Sequence, residues 1–298
     1  MALPQTGIFA LGNPSHTYLE FDLVRGADAL TLAAAVANLS EPRTTMGGVN
    51  LVTGFRPELW SAIAPAHAPR GLAGFDQPVV GTDGYTMPAT QHDLALWIAG
   101  GAYDVVFDAA VGVIAALHDS AALADETAGW SYHRDLDLTG FIDGTENPSL
   151  SAAPARVLVP PDQTGAGGTV LLLQKWVHDS AAWTSLSTSE QEQVIGRTKR
   201  DSVELDDRPV TSHVARTDQD EFGKIFRRNT PYGSVREHGT MFVGFSAEQR
   251  PLAAMLDSMA GLHGVPRDEL TRYARPLTGG YYFVPSLDDL AVFGTADE

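Results

Sequence analysis

The sequence has no cysteine among its 298 residues. Disulfide bonds, thiolate nucleophiles, iron–sulfur clusters and cysteine-ligated zinc are therefore excluded. Basic residues are few as well: 20 Lys and Arg stand against 37 Asp and Glu, which gives a formal net charge of −17. Nucleic acids and anionic membranes bind positive surfaces, so we expect neither as a partner.

Long apolar runs and a secretion-type start are also lacking. No uncharged apolar run approaches the ~20 residues that span a bilayer. The start has no basic region ahead of an apolar stretch. We therefore expect a cytoplasmic protein without a membrane span. Hydrophobic residues make up 44% of the chain, enough for a substantial core in one large domain or two smaller ones.

Two stretches of the first half resemble two stretches of the second half. The segments HTYLEFDLV and GTVLLLQKWV have strand patterns, and each is followed by a helical pattern. HDLALWIAGGAYDVVFDAAVGVIAAL and HGTMFVGFSAEQRPLAAMLDSMAGL each read as a strand followed by a helix. Each half would then end in a strand, within AGWSYHRDLDL and GGYYFVPSL respectively.

The simplest account of this repeat is a duplicated β-α-β-β-α-β unit of the ferredoxin-like type. It predicts an α+β fold of two antiparallel sheets with helices on their outer faces. The predicted halves are residues 1–140 and 141–298, with 141–167 as the linker and the loop that carries Asp143. The stretch PSLSAAPARVLVPPDQTGAGG, rich in Pro, Ser, Ala and Gly, is the linker or long loop between the halves. Chance alternation of unrelated strands and helices stays open as the alternative.

Asp143 occupies an unusual position in the stretch GFIDGTENPS. It follows the apolar pair Phe141 and Ile142 and comes directly before Gly144. The simpler interpretation is a turn aspartate that caps its own backbone. Glycines on both sides, Gly140 and Gly144, suggest instead that another group approaches this backbone closely.

His213 is the second candidate, within RPVTSHVARTD. The sequence contains no HxxxH, HxH or HExxH pair, and zinc or non-haem iron sites need two or three protein ligands. One histidine is enough for haem iron, because the porphyrin supplies four other ligands. The pattern therefore favours haem over a bare metal ion, although most histidines are surface or core residues.

The third candidate is the stretch KIFRRNTPYGS. In a strand, Arg227 and Asn229 would point to one face and Arg228 to the other. The alternative is an edge strand with two solvated arginines. If Arg228 lies on the face opposite Arg227, we expect the function to tolerate Arg228→Ala.

GFIDGTENP, SHVART and RRNTPYG, in this order, closely resemble the dye-decolourising peroxidase family in its bacterial B-type branch. Gly-x-x-Asp-Gly is that family's hallmark, and the resemblance extends over the whole chain. It implies a peroxidase that binds one haem b per chain in the C-terminal half. Such an enzyme reduces hydrogen peroxide through a ferryl intermediate and oxidises organic donors such as dyes and phenolics.

The resemblance also implies a role for each motif residue. Asp143 would move a proton of the peroxide, and Arg227 would supply positive charge where the leaving oxygen becomes negative. Asp268 would bond the far nitrogen of His213 and make the imidazole more basic. The expected site comprises catalytic Asp143, Arg227 and Asn229, the iron ligand His213, and cofactor-binding His213, Arg197, Glu146, Asn147 and Asp268.

Two rival functions remain open at this point. One is a haem- or porphyrin-handling protein with incidental peroxidase activity, and the other is a non-enzymatic ferredoxin-like binding module. The set of Asp143, Arg227 and Asn229 disfavours the binding module, because a protein that only binds haem does not need an acid–base pair beside it. Family members often self-associate, so we expect a homo-oligomer. Some B-type relatives load into a protein shell through a C-terminal extension, and loading is doubtful here because the chain ends soon after its last predicted strand.

A dye-sized donor could not reach iron in such a pocket. Its electrons would then pass through an oxidisable side chain or an exposed haem edge. Trp176, Trp183 and Tyr273 are the candidate relay residues, since they belong to the half that supplies His213. The alternative for each is an ordinary core or interface residue.

Overall fold

The computed structural model describes residues 2–39 and 48–294. The sequence expectation that concerns the C-terminal end therefore falls partly on residues outside this description. The described residues of the first half form six strands and three helices: β1 (Ser15–Leu23), α1 (Ala29–Ala37), β2 (Val49–Phe55), α2 (Pro57–Ile63), β3 (Val79–Val80), β4 (Thr86–Met87), β5 (Leu94–Gly100), α3 (Tyr103–Leu117) and β6 (Ala121–Trp130).

The second half contains further elements of both kinds. They are α4 (Ala153–Val157), β7 (Thr169–His178), α5 (Ser180–Ser185), α6 (Thr188–Ile195), α7 (His213–Arg216), α8 (Gln219–Phe222), β8 (Phe226–Arg227), β9 (Thr230–Gly233), β10 (His238–Ser246), α9 (Gln249–Met259), β11 (Ala274–Pro276), β12 (Gly280–Val284) and α10 (Leu287–Ala291). Short 3-10 helices lie at Thr6–Phe9, Thr82–Gly84 and Glu269–Arg272. In the described part of the chain, no helix has the length and apolar character needed to cross a membrane.

Both halves have the same strand order. The first sheet runs β2-β5-β1-β6, and the second runs β12-β7-β10-β9, with β8 pairing β10 beyond the end of β9. All these pairings are antiparallel. The predicted α+β fold of two ferredoxin-like units with helices on the outer faces is confirmed.

The two sheets also join each other at both edges, which the sequence did not predict. Phe283 of β12 pairs with Phe55 of β2, and Gly129 of β6 pairs with Tyr232 of β9. The strands therefore close into a barrel. One apolar cluster fills its interior, a second packs the first sheet against α1–α3, and a third lies between the second sheet and α9.

One predicted strand boundary is wrong, and the expected linker has more regular structure than the sequence suggested. The strand placed within AGWSYHRDLDL ends at Trp130, because His133 and Arg134 have φ values of 44° and 74° and bend the chain out of the extended conformation. The expected linker 141–167 contains a helix, α4. Its Ala153 and Val157 are fully buried in the barrel interior, since small apolar residues fit that space.

Arg228 contradicts the expected solvated arginine. Arg227 and Arg228 do face opposite sides, but the side opposite the cavity is the barrel interior rather than solvent. The Arg228 guanidinium donates hydrogen bonds to the carbonyls of Gly7, Ile8 and Ala10, and it lies 4.9 Å from the centre of the Trp97 ring. Burial lowers its pKa to about 10. The interpretation of Arg228 as a solvated arginine is therefore wrong, while the tolerance of the function to Arg228→Ala stays a prediction.

Candidate active site

A cavity lies between the second sheet and the helices that cover it. Strands β7, β8 and β10 contribute the sheet side, and α7 and α9 contribute the helix side. Much of the wall is apolar, with Leu172, Ile225, Phe242, Leu252, Met255, Leu256 and Met259 among its residues. The third apolar cluster of the molecule thus opens into a pocket instead of closing completely.

Asp143 and Arg227 form an ion pair on the sheet side of the cavity. Arg227 Nη2 lies 3.5 Å from Asp143 Oδ1, and the two side chains are 16% and 21% exposed. Such limited exposure weakens the screening of their charges by water. Arg227 Nε is buried with no hydrogen-bond partner among the described residues. It is thus a donor left for a group in the cavity.

The turn after β6 holds Asp143 in place. The Asp143 N–H donates to the Asp135 carbonyl at 2.8 Å, and the Gly144 N–H donates to Asp143 Oδ1 at 2.7 Å. Gly140 and Gly144 have φ values of 84° and 74°, in the left-handed region that favours glycine. The two glycines therefore let the chain turn tightly on either side of the carboxylate.

His213 and Asp268 form a hydrogen-bonded pair on the helix side. His213 begins α7, and its Nδ1 lies 2.7 Å from Oδ2 of Asp268, which is fully buried. The other oxygen, Oδ1, accepts the N–H of Leu270 at 2.9 Å. With Nδ1 donating to the carboxylate, Nε2 is the nitrogen left free to bind a metal.

The two asparagines have different surroundings. Asn229 lines the cavity, and its Oδ1 accepts the N–H of Val243 at 3.0 Å. Asn147 is not among the lining residues. Its amide binds the backbone of Arg227 through both of its polar atoms. Direct contact of Asn147 with a cofactor, as the sequence suggested, therefore has no support in this geometry.

Alternating charges surround Arg197 at one end of the cavity. Arg197 pairs with Glu146 and lies 3.5 Å from Glu204, and it donates to the Ser202 carbonyl at 2.8 Å. Glu204 also pairs with Arg208. The Nε of Arg197 is buried and has no partner among the described residues. Arg197 thus retains a donor for an additional anionic group.

Asp137 is a cavity residue that the sequence interpretation missed. One of its oxygens accepts hydrogen bonds from the Thr139 N–H, at 2.7 Å, and from the Thr139 hydroxyl. Burial raises the pKa of Asp137 to about 6, the Thr139 hydroxyl opposes this rise, and the nearby Asp143 adds to it. The available signal was its position in the alternating stretch DLDL, six residues before Asp143.

Strand β7 supplies two further polar residues that were missed. Gln174 and His178 lie on the same face as Leu172 and Trp176, and all four line the cavity. Gln174 is fully buried, and both of its amide atoms lack a partner among the described residues. Burial lowers the pKa of His178 to about 4, and His238 adds to this effect. Polar side chains on a buried strand were the available signal.

The cavity fits haem. An imidazole whose Nδ1 is held by a carboxylate would offer Nε2 to haem iron. The apolar walls suit the faces of a porphyrin, and Arg197 Nε is a buried donor without a partner that suits a propionate. These are the donors that haem requires of a protein.

Comparison with known proteins decides the family. The model of the Dyp-type peroxidase N-terminal domain matches residues 5–131, and that of the C-terminal domain matches residues 134–289. The chain belongs to the Dyp-type peroxidase family. A dye-decolorizing peroxidase of Mycobacterium tuberculosis is 36% identical over 275 residues, which cover 88% of this chain and 81% of that protein.

Solved structures of the family are similar over nearly the whole chain. A Dyp-type peroxidase from Shewanella oneidensis has 30% identity and a TM-score of 0.88, covering 99% of this chain and 100% of its own. A DypB variant of Rhodococcus jostii RHA1 in complex with haem has 31% identity and a TM-score of 0.88, with coverage of 98% and 99%. The protein is a peroxidase of a haem-dependent family.

Proposed function

We propose that this Dyp-type peroxidase reduces hydrogen peroxide at one b-type haem per chain and oxidises organic donors such as dyes and phenolics. The observation that carries this proposal is the Asp143–Arg227 pair, which shares a cavity with the His213–Asp268 pair. A protein that only binds or transfers haem has no use for the first pair. Nothing in the geometry favours the porphyrin-handling alternative.

His213 holds the iron through Nε2 in this proposal. Asp268 accepts the Nδ1 proton and fixes the imidazole in one tautomer and one orientation. Because Asp268 is fully buried, water does not compete strongly for that hydrogen bond. Arg197 binds a haem propionate through its free donor, and Glu146 orients Arg197.

Asp143 and Arg227 act on the peroxide. When bound, haem would supply the iron at which peroxide is split and would store the two oxidising equivalents of the peroxide until the donor is oxidised. Asp143 accepts the proton of one peroxide oxygen and returns it to the other. Arg227 places fixed positive charge near the leaving oxygen of the peroxide, where negative charge develops. Asn229 contributes a second polar side chain to this part of the cavity.

Stopped-flow mixing of the reconstituted protein with peroxide tests this function. Asp143→Asn and Arg227→Leu should each slow the change in the haem spectrum by roughly a hundredfold or more while haem stays bound. His213→Ala should lose haem. His178→Ala is the matched control, since His178 also lines the cavity but has its Nε2 3.1 Å from the Thr240 hydroxyl.

Two results would contradict the proposal. One is a reconstituted parent protein whose haem spectrum does not respond to peroxide. The other is a His213→Ala variant with a parental spectrum and activity, which would show that another residue binds the iron. A His178→Ala variant that loses haem in its place would identify that residue.

Several expectations from the sequence remain part of the proposal. We infer a homo-oligomer in the cytoplasm that has no nucleic acid or membrane partner. We also divide the chain into halves at residues 1–140 and 141–298. The duplicated strand order supports a division near this point, where the first unit ends with β6.

A further inference from the structure

The loop that carries Asp143 is joined to strand β8 by one side-chain amide. Asn147 Oδ1 accepts the backbone N–H of Arg227 at 2.8 Å, and Asn147 Nδ2 donates to the backbone carbonyl of Arg227 at 2.9 Å. Asn147 lies four residues beyond Asp143. The same short segment thus carries Asp143 and, through Asn147, binds the backbone of Arg227, whose guanidinium pairs with Asp143.

The position of β8 explains why this contact is available. β8 pairs β10 on one side, where the N–H of Arg228 donates to the Val243 carbonyl at 2.8 Å. Successive residues of a strand direct their polar backbone groups to opposite sides. The N–H and carbonyl of Arg227 therefore face away from β10, and the Asn147 amide occupies the place of a neighbouring strand there.

Gly144 provides the space for that amide. The Asn147 N–H donates to the Gly144 carbonyl at 2.9 Å, which folds the loop back on itself. A Cβ atom on Gly144 would lie 2.8 Å from Asn147 Nδ2, closer than real contacts allow, and Gly144 has a φ of 74°. The second glycine of the Gly-x-x-Asp-Gly element thus serves the amide as well as the turn.

We propose that Asn147 is a positioning residue that sets the separation of Asp143 and Arg227 through the backbone of Arg227. The two charged groups lie 3.5 Å apart, a distance that a small shift of a two-residue strand would change. Misplacing reacting groups by about 1 Å can slow a reaction by about a hundredfold. The inference rests on the proposed function, but the hydrogen bonds themselves can be tested without haem.

The first experiment measures amide hydrogen exchange in the haem-free protein. Asn147→Ala should make the Arg227 amide exchange about fivefold faster, because the lost hydrogen bond is worth about 1 kcal/mol. Gln249→Ala is the matched control. The Gln249 amide binds the N–H and carbonyl of Ala73 in the same two-bond manner, at 3.0 and 2.9 Å, and does not line the cavity. Unchanged exchange at Arg227 in Asn147→Ala would overturn the proposal.

The second experiment is a double-mutant cycle on the reaction with peroxide. Asn147→Ala should slow that reaction by about ten- to a hundredfold, with haem affinity unchanged. In an Arg227→Leu background the same change should alter the rate less than about twofold, because residues that act through one another are not additive. Equal slowing in both backgrounds would show that Asn147 does not act through Arg227.

Further outcomes separate the remaining possibilities. Asn147→Asp keeps the size and the acceptor but loses the donor, so it should fold and still react more slowly than the parent. A parental rate in this variant and in Asn147→Ala would refute the proposal. Loss of haem with unchanged Arg227 exchange would assign Asn147 to cofactor binding. If the parent itself fails to react with peroxide, the proposed function is wrong and the exchange result alone decides the positioning role.

Discussion

At the scale of single residues, two carboxylates of one loop have different surroundings. Asp143 lies 3.5 Å from the guanidinium of Arg227. Asp137 accepts hydrogen bonds from Thr139, and burial raises its pKa to about 6. The ordinary pKa of an aspartate is about 3.9. At pH values between these two pKa values, Asp137 is deprotonated in the unfolded chain but stays protonated in the folded chain. The contribution of Asp137 to the free energy of unfolding therefore falls as pH rises.

Replacing Asp137 by asparagine should remove that pH-dependent destabilisation. The amide keeps an oxygen that can accept both hydrogen bonds from Thr139. In haem-free protein, the free energy of unfolding of Asp137→Asn relative to the parent should rise by about 1 kcal/mol or more between pH 5 and pH 7.5, since one pH unit corresponds to 1.36 kcal/mol. Urea unfolding at the two pH values measures the difference.

Asp135→Asn is the control for this measurement. The Asp135 side chain is exposed, and its carbonyl, which accepts the N–H of Asp143, is unaffected by the change. Its stability difference from the parent should not change between the two pH values. A flat difference for Asp137→Asn as well would mean that Asp137 titrates near its ordinary pKa in the folded protein.

Replacing Arg228 should lower the stability of the fold without changing the rate of the reaction with peroxide. Arg228→Met would leave buried carbonyls of the Thr6–Phe9 segment without their donor, and such losses amount to about 3 kcal/mol of unfolding free energy. Urea unfolding of the haem-free protein measures this loss. Arg250→Met, at an exposed position, should stay within about 0.5 kcal/mol of the parent. An equally small effect for Arg228 would restore the solvated-arginine interpretation.

At the scale of elements, α5 and the 3-10 helix Glu269–Arg272 bring two of the candidate relay residues together. Phe141 lines the cavity, and its ring centre lies 6.2 Å from that of Trp183 on α5. Trp183 is 5.4 Å from Tyr273, which follows the 3-10 helix and is partly exposed. The three rings thus lead from the cavity wall towards the surface. Trp176 lines the cavity but is buried.

This arrangement predicts different outcomes for the three candidates. Trp183→Phe and Tyr273→Phe should lose turnover of a large dye while reacting with peroxide at the parental rate, because phenylalanine keeps an aromatic ring at each position but is hard to oxidise. Trp176→Phe should keep dye turnover. Steady-state dye oxidation and stopped-flow peroxide kinetics on each variant provide the two rates. Full dye turnover in all three would favour transfer at a haem edge.

The sequence predicted elements correctly where an apolar pattern repeats over many residues. It failed where the backbone conformation of one or two residues ends a strand. The strands β1, β5, β7 and β10 and the helices α3 and α9 match the predicted segments to within one residue, because each buries one regular face. The stretch beyond Trp130 alternates like a strand. It bends because His133 and Arg134 take left-handed conformations, which non-glycine residues seldom adopt and side-chain alternation does not reveal.

At the scale of the whole molecule, the duplication was visible in the sequence and the barrel was not. Repeated strand–helix patterns report which residues share a face. The closing pairs, Phe283 with Phe55 and Gly129 with Tyr232, join residues far apart in the chain and leave no local pattern. Arg228 was misjudged for this reason, since its surroundings exist only once the two sheets meet.

Some residues of the candidate site could be predicted from the sequence, and others could not. Asp143, Arg227 and His213 lie in short motifs that the family resemblance located, and the structure brings all three to one cavity. Asp137 and Gln174 belong to no such motif. They face the cavity only because of the loop turn and the register of β7 against β10, where Gln174 pairs with Phe242.

The closed barrel also limits how copies of this chain can associate. Aggregation by strand addition needs a free strand edge on which another chain can form backbone hydrogen bonds. Within the described residues, β8 is short and Asn147 occupies its outer side at Arg227. β11 has three residues and ends in Pro276, which has no N–H to donate. We therefore expect any assembly to form through side-chain surfaces, and concentrated solutions to resist fibre formation.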